Sequence, residues 1–180
     1  MKRIINNIVI VFFLLFCNLS FSLISIGEKV SAFKLTSGSD KHLFSSDLKG
    51  KIVTIFYETK ETTEVNRLLK NELNKFYYSH LGLMHKNVVR LAVIDASSAN
   101  LFTKFIWKRK MRNASSKEKL TIYGDWDGSM RKAFKIPKNS IAFFITDKKG
   151  VIRYIKSGRV AQFEIGKIKE LLNSLVLQAD

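Results

Sequence analysis

The period of the apolar positions changes along the chain, and each change marks an element. Phe33-Lys34-Leu35-Thr36 and Lys41-His42-Leu43-Phe44 flank the polar turn Ser37-Gly38-Ser39-Asp40, which predicts a β-hairpin. Leu48-Lys49-Gly50-Lys51 then ends a turn ahead of Ile52-Val53-Thr54-Ile55-Phe56-Tyr57. That continuous run, rich in β-branched residues, predicts a central strand buried on both faces. Val65, Leu68, Leu69, Leu73, Phe76 and Tyr77 recur at spacings of three and four, which predicts an amphipathic helix over 63–79 capped by Thr62 or Thr63. Val88 to Asp95 reads as a second buried strand. Residues 98–112 place Leu101, Phe102, Phe105 and Ile106 on one helical side, ahead of the cluster Lys108-Arg109-Lys110-Met111-Arg112. A strand at Leu120 to Tyr123, a turn at Asp125-Trp126-Asp127-Gly128 and a short helix near Met130 to Phe134 follow. A hairpin of 141–146 and 151–155 then turns around Asp147-Lys148-Lys149-Gly150, and Ile165, Ile168, Leu171, Leu172, Leu175 and Val176 make the closing helix amphipathic.

This alternation of strands and helices argues for one α/β domain around a central sheet, and 180 residues suit a single domain. A hydrophobic share of 46% excludes a disordered tail, and a single cysteine excludes a disulfide framework. Ahead of the domain, Met1-Lys2-Arg3 precedes an apolar run from Ile8 to Cys17, which has the length of a signal-peptide core and is short for a membrane span. Small residues at Ser20 and Ser22 place cleavage after Ser22, making residues 1–22 a signal peptide and residues 23–180 a periplasmic or secreted domain. The processed chain starts at Leu23 and holds no cysteine. Two alternatives retain the segment: an uncleaved membrane anchor over residues 4–26, or lipidation at Cys17.

Three stretches carry a family resemblance: Ile26-Gly27-Glu28-Lys29-Val30-Ser31-Ala32-Phe33-Lys34-Leu35, Ser46-Asp47-Leu48-Lys49-Gly50-Lys51-Ile52-Val53, and Ala142-Phe143-Phe144-Ile145-Thr146-Asp147-Lys148-Lys149-Gly150-Val151-Ile152. In this order they resemble the redoxin type of thioredoxin-like fold, a central mixed sheet flanked by helices with an N-terminal β-hairpin. The C-terminal half, from Asp125-Trp126-Asp127-Gly128 to Lys156-Ser157-Gly158, is similar to the bacterial periplasmic YtfJ family, small exported proteins of unsettled function. The resemblance implies a fold and a location more than an activity.

The departures from that pattern bear on function. Thiol-active members carry Cys-x-x-Cys after the first core strand, where a helix N-terminus lowers a thiol pKa. Here the window reads Glu58-Thr59-Lys60-Glu61-Thr62-Thr63-Glu64-Val65-Asn66-Arg67, and a threonine hydroxyl does not replace a thiolate. Such members also place a cis-proline before the hairpin strand, a position that falls here on Ser140 or Ile141. The only proline, Pro137, comes earlier and is expected to end the preceding short helix. The resulting expectation is an exported, non-redox binding or accessory protein. Its candidate groove for a protein or peptide partner lies near residues 58–67 and 139–141, with Glu61, Thr62, Thr63, Glu64, Ser140 and Ile141 as the candidate residues. A thiol-disulfide or peroxide-related enzyme with a displaced site is the enzymatic alternative, using Cys17 or a partner's thiol.

Other constellations add little chemistry. His42, His80 and His85 have no cysteine or acid at ligand spacing, and Met130 and Ile136 stand where a calcium loop beginning at Asp125 needs a glycine and an acid. No catalytic residue, metal site or cofactor is therefore assigned. Charge is the strongest positive feature: 31 Lys+Arg against 15 Asp+Glu give +16, which loss of Lys2 and Arg3 lowers to +14. The cations concentrate at Lys104, Lys108, Arg109, Lys110, Arg112, Lys117 and Lys119, beside Phe102, Phe105, Ile106 and Trp107. A further alternative is thus a basic module in which 98–119 binds an anionic membrane or envelope polymer through Lys104, Trp107, Lys108, Arg109, Lys110 and Arg112. A plain solvated face explains the same charges without a ligand. No helix-turn-helix or zinc knuckle is present, and nucleic acid is not expected as a partner.

Overall fold

A computed structural model describes residues 23–178. The signal peptide, its cleavage after Ser22, lipidation at Cys17 and most of the 4–26 anchor concern residues outside the described ones. Along the chain come β1 (Lys34–Ser37), β2 (His42–Phe44), a 3-10 turn (Ser45–Leu48), β3 (Ile52–Glu58), α1 (Arg67–Ser79), α2 (Leu81–Asn87) and β4 (Val88–Asp95). There follow α3 (Leu101–Glu118), β5 (Ile122–Asp125), α4 (Ser129–Ala133), β6 (Ala142–Thr146), β7 (Ile152–Ser157) and α5 (Glu164–Leu177). The strands form one seven-stranded sheet in the order β2-β1-β5-β4-β3-β6-β7. β3, β4 and β5 run parallel, while β1–β2, β1–β5, β3–β6 and β6–β7 are antiparallel. The N-terminal hairpin is part of this sheet, because Thr36 and Ser37 pair with Gly124 and Tyr123.

The strand β3 shows why its sequence has no polar alternation. Val53, Ile55 and Tyr57 enter one layer with Phe33, Leu35, Met130, Phe134 and Phe144. Ile52 and Phe56 enter the other, with Leu69, Leu73, Phe143, Ile168 and Leu172. A strand in the middle of such a sandwich needs apolar residues on both faces. Thr54 is tolerated on the helix side because its hydroxyl lies 2.8 Å from the Tyr77 hydroxyl, so neither buried group is left unpaired.

Three helices depart from their expected limits. The first begins at Arg67, not at 63, and neither Thr62 nor Thr63 caps it. Asn66 occupies the cap position but turns its amide to the far loop, donating to the Gly158 carbonyl at 3.1 Å and accepting from the Val160 amide at 2.9 Å. The basic helix starts at Leu101, not at 98, behind a reciprocal Asn100–Thr103 cap, and runs on to Glu118, not to 112. Its single helical side of Leu101, Phe102, Phe105 and Ile106 faces solvent, and the buried residue of this helix is Met111. The short helix closes at Ala133, ahead of the expected Phe134, and Lys135 with a φ of 52° reverses the chain before Pro137 is reached. Pro137 instead opens the next turn, its carbonyl accepting from Ser140.

The hairpin holds α3 in place. Arg112 donates to the Gly38 carbonyl at 2.9 Å, and Lys108 pairs with Asp40. A Cβ on Gly38 would lie 2.5 Å from the Lys108 carbonyl oxygen and 2.9 Å from the Arg112 nitrogen, both backbone atoms that cannot swing aside. Gly38→Ala is therefore expected to lower stability by about 1–3 kcal/mol through overpacking, read as a lower urea midpoint at unchanged slope. Gly82→Ala serves as the control: nothing lies within 4 Å of its added carbon, and in α2 it should be neutral or stabilising by up to about 1 kcal/mol.

Candidate functional site

The loop from β3 to α1 is the place where the sequence puts its candidate groove. Thr59 and Thr62 close it on themselves: the Thr59 amide donates to the Thr62 hydroxyl at 2.9 Å, and the two hydroxyls are 3.1 Å apart. Glu64 binds Arg67 and lies exposed, and Arg67 also reaches Glu118 on α3 at 3.1 Å. Those guanidinium contacts hold the Glu64 carboxyl below the ordinary glutamate value. Because Asn66 is tied to Gly158 and Val160, the regular helix starts beyond this loop, and residues 61–64 do not sit on a helix N-terminus.

Beside this loop the carboxyl ends of β3 and β4 open into a cleft of about 350 Å³, lined by Thr59, Lys60, Glu61, Asp95, Ser97, Ser98, Trp107, Lys138 and Asn139. Lys60 covers one wall, its ammonium 5.3 Å from the Trp107 ring centre. Asp95 accepts from both the amide of Ser97, at 3.1 Å, and its hydroxyl, at 2.6 Å, which fixes the turn that enters α3. Asn139 stands on the opposite wall with a φ of 61°, a left-handed conformation that asparagine adopts more readily than most residues. The cleft offers hydroxyls, an amide, two carboxylates, two ammonium groups and an indole face, groups suited to binding a polar chain.

Of the six expected groove residues, only Glu61 lines this cleft. Thr62 is turned to Thr59, while Thr63 and Glu64 line a separate space between α1 and α3. Ser140 follows Asn139 into β6, and Ile141 is buried with its carbonyl accepting from Gly158. The expected basic contacts also divide. Lys104 lies 5.3 Å from the Trp126 ring centre, Lys108 and Arg112 hold the hairpin, and Trp107 lines the cleft. Arg109 and Lys110 face solvent.

Buried acids end all three parallel strands: Glu58 on β3, Asp95 on β4 and Asp125 on β5. Asp125 accepts from the Tyr57 hydroxyl at 3.0 Å and from the amides of Met130 and Arg131 at 3.2 and 2.8 Å, joining β3, β5 and α4. Burial pushes its carboxyl upward against those hydrogen bonds, and burial likewise raises the Tyr57 hydroxyl. Trp126 beside it packs across Gly124 and donates to the Thr36 carbonyl at 2.8 Å, so the Asp125-Trp126-Asp127-Gly128 turn is consumed by structure. Among the described residues no group of histidines, cysteines and acids is arranged to hold a metal ion.

No protein-family model matches the sequence, and no curated protein matches it. Solved structures do match the fold. A protein proposed to be the thiol:disulfide interchange protein DsbE of Chlorobium tepidum aligns over 85% of this chain and 99% of its own, with a TM-score of 0.64 and 12% identity. The thiol peroxidase of Chromobacterium violaceum aligns over 85% of this chain and 88% of its own, with a TM-score of 0.61 and 12% identity. The exposed lipoprotein thioredoxin Etrx1 of Streptococcus pneumoniae strain TIGR4 aligns over 78% and 99%, with a TM-score of 0.56 and 16% identity.

The fold is thioredoxin-like. Identities this low carry the fold alone, so the chemistry of the thioredoxin-like site rests on its own residues. Asn139 lies in the 139–141 stretch expected from the sequence, whereas Asp95, Ser97, Ser98 and Lys138 were not singled out, although Asp95-Ala96-Ser97 has the form of an Asx turn at a strand end.

Glu58, which leads into the loop, is held by one cation. Its Oε2 accepts from Lys70 at 2.7 Å, while its buried Oε1 has no partner. Burial raises the Glu58 carboxyl and the Lys70 ammonium opposes that rise. Since the folded value lies above the unfolded one, the stability Glu58 contributes falls as pH rises from the ordinary glutamate value through the folded one. Lys70→Met leaves this carboxylate buried without a cation and should cost about 3 kcal/mol near neutral pH. The loss should shrink toward about pH 4, where Glu58 is protonated in the variant. Urea denaturation of both proteins across that range checks the sign, and a loss that grew on acidification would contradict it.

Proposed function

We propose that this chain is an exported thioredoxin-fold binding or accessory protein that works without thiol chemistry and takes a polypeptide segment in the cleft between Thr59–Glu61, Ser97–Ser98 and Asn139. Its resemblance to the YtfJ family and a signal peptide over residues 1–22 belong to this reading. The observation that carries it is the loop itself. The window Glu58 to Arg67, where the redoxin resemblance implies a Cys-x-x-Cys, has none, and residues 23–180 contain no cysteine. The setting also disfavours a thiolate, because α1 begins beyond the loop and buried carboxylates end the adjoining strands.

A second reading, a thiol-disulfide or peroxide-related enzyme with a displaced site, is favoured by what the similar structures are called. It depends on Cys17 or on a thiol from a partner. The two readings separate in one set of assays. The full chain and its Cys17→Ser variant are both expected to reduce insulin and consume peroxide no faster than buffer. Turnover by the full chain that Cys17→Ser abolishes would overturn the first reading in favour of the second.

The binding itself is tested with reduced, carboxymethylated α-lactalbumin, an unfolded polypeptide without reactive thiols. Trp107→Ala and Asn139→Gly, the latter keeping the left-handed backbone accessible, are each expected to weaken its binding about tenfold, roughly 1.4 kcal/mol. Binding equal to the unsubstituted protein in both variants would remove the cleft from the function.

A further inference from the structure

We propose that the amino-terminal end of α3 docks the protein on the surface of an anionic phospholipid bilayer. Leu101, Phe102, Phe105 and Ile106 form one contiguous group and are 88%, 89%, 65% and 44% exposed. A soluble domain exposes single apolar residues freely, but a group of four large ones at a helix tip marks a contact surface. Leu101 and Phe102, almost wholly exposed, stand off the surface as the tip of a wedge whose base is the partly covered Phe105 and Ile106, and they offer no groove to a folded partner. A fluid acyl boundary closes around such a wedge.

Three further features fit that occupant. The cap pairs two backbone donors at the tip: Asn100 accepts from the Thr103 amide at 2.9 Å, and Thr103 accepts from the Asn100 amide at 3.0 Å. This lowers the cost of moving a helix end toward a less polar layer. Arg109 and Lys110 are exposed further along α3, about 11 Å up the axis from Phe102 at 1.5 Å per residue. That offset sets them at the phosphate level when the aromatic tip reaches the acyl boundary. From Leu101 to Lys117 the helix carries Lys104, Lys108, Arg109, Lys110, Arg112 and Lys117 and no acid. Two copies meeting through this helix would set like charges together, so the charge selects an anionic surface over self-association. No helix among the described residues is long and apolar enough to cross a membrane.

The docking mode differs from a helix lying flat on the surface. Lys104, Lys108 and Arg112 are engaged with Trp126, Asp40 and Gly38, so the flank of α3 is held against the hairpin while its end is presented. Trp107, on the same helix, lines the cleft. The cleft therefore opens beside the docking tip and meets polypeptides at the bilayer surface, a consequence that rests on the function proposed above.

The test uses the chain from Leu23, since every element and both core layers lie within the described residues 23–178. Vesicles of phosphatidylcholine with one-quarter phosphatidylglycerol should sediment the protein, at least about tenfold more tightly than pure phosphatidylcholine and less tightly at about 1 M than at about 0.1 M salt. Phe102→Ser with Phe105→Ser should weaken this binding about tenfold or more at unchanged net charge. Arg109→Glu with Lys110→Glu should weaken it and flatten its salt dependence. Absence of sedimentation, or binding by the Phe102→Ser/Phe105→Ser protein equal to the unsubstituted one, overturns the proposal. So does the same double variant binding vesicles normally while losing carboxymethylated α-lactalbumin, which would make the tip a polypeptide contact. Asn139→Gly should leave vesicle binding unchanged, so failure of the cleft and failure of the tip give different results.

Discussion

Strand β3 is hydrogen-bonded along both edges and buried on both faces, and this double enclosure constrains everything around it. Its parallel partner β4 and antiparallel partner β6 satisfy its backbone groups, which have no water to turn to. Its side chains must then fill two separate layers, Val53, Ile55 and Tyr57 on one side and Ile52 and Phe56 on the other. A chain leaving such a strand can emerge only at the sheet's end, between the β4–α3 connection and the segment entering β6. The 59–61 segment, Asp95 to Ser98, and Lys138 and Asn139 are neighbours for that reason alone. Ligand sites of open α/β sheets gather at the carboxyl ends of strands by the same geometry.

What distinguishes this sheet end is that its acids are used as fasteners. Asp125 receives a tyrosine hydroxyl and two amides, Asp95 receives an amide and a hydroxyl from Ser97, and Glu58 receives Lys70. Each fastener ties a strand end to the next segment of chain: Asp125 to α4, Asp95 to the turn before α3, Glu58 to α1. Burial drives Asp125 and Glu58 toward their neutral forms, so each tie works against a desolvation cost and needs its partners. A reactive thiolate wants the reverse, donors and positive charge directed at an open position. The local electrostatics therefore agree with the residues of the loop, which provide hydroxyls and carboxylates and no sulfur.

The sheet was the legible part of the sequence because its signal is local. The run Ile52 to Tyr57 and the run Val88 to Asp95 became β3 and β4, the latter with the same limits, and the closing helix and both hairpins fell where periodicity put them. The start of α1 was not legible, since Asn66 finds its partners at Gly158 and Val160 across the molecule, and a local cap rule favours Thr62 or Thr63. The direction of α3 was not legible either. Periodicity shows that Leu101, Phe102, Phe105 and Ile106 share a side, but the same spacing serves an inward or an outward face. The cleft was legible at the 59–61 loop and at Asn139, but not at Asp95, Ser97, Ser98 and Lys138, which the β3–β4–β6 arrangement brings beside them.

Helix α3 shows how one element can serve separate purposes without conflict. Its flank is fixed to the hairpin by Lys108 and Arg112, a contact so close that Gly38 has no room for a side chain. Its inner side contributes Met111 to the interior and Trp107 to the cleft, and its C-terminal end is tied to α1 through Glu118 and Arg67. These attachments leave the N-terminal turn and the outward stripe through Phe102, Phe105, Ile106 and Arg109 without a structural task. Leu101 and Phe102, almost wholly in water, weaken solubility and contribute little to the packing of the fold. A helix fixed this firmly does not need them for its own stability, so the physical reason for their exposure lies in what they meet outside the chain.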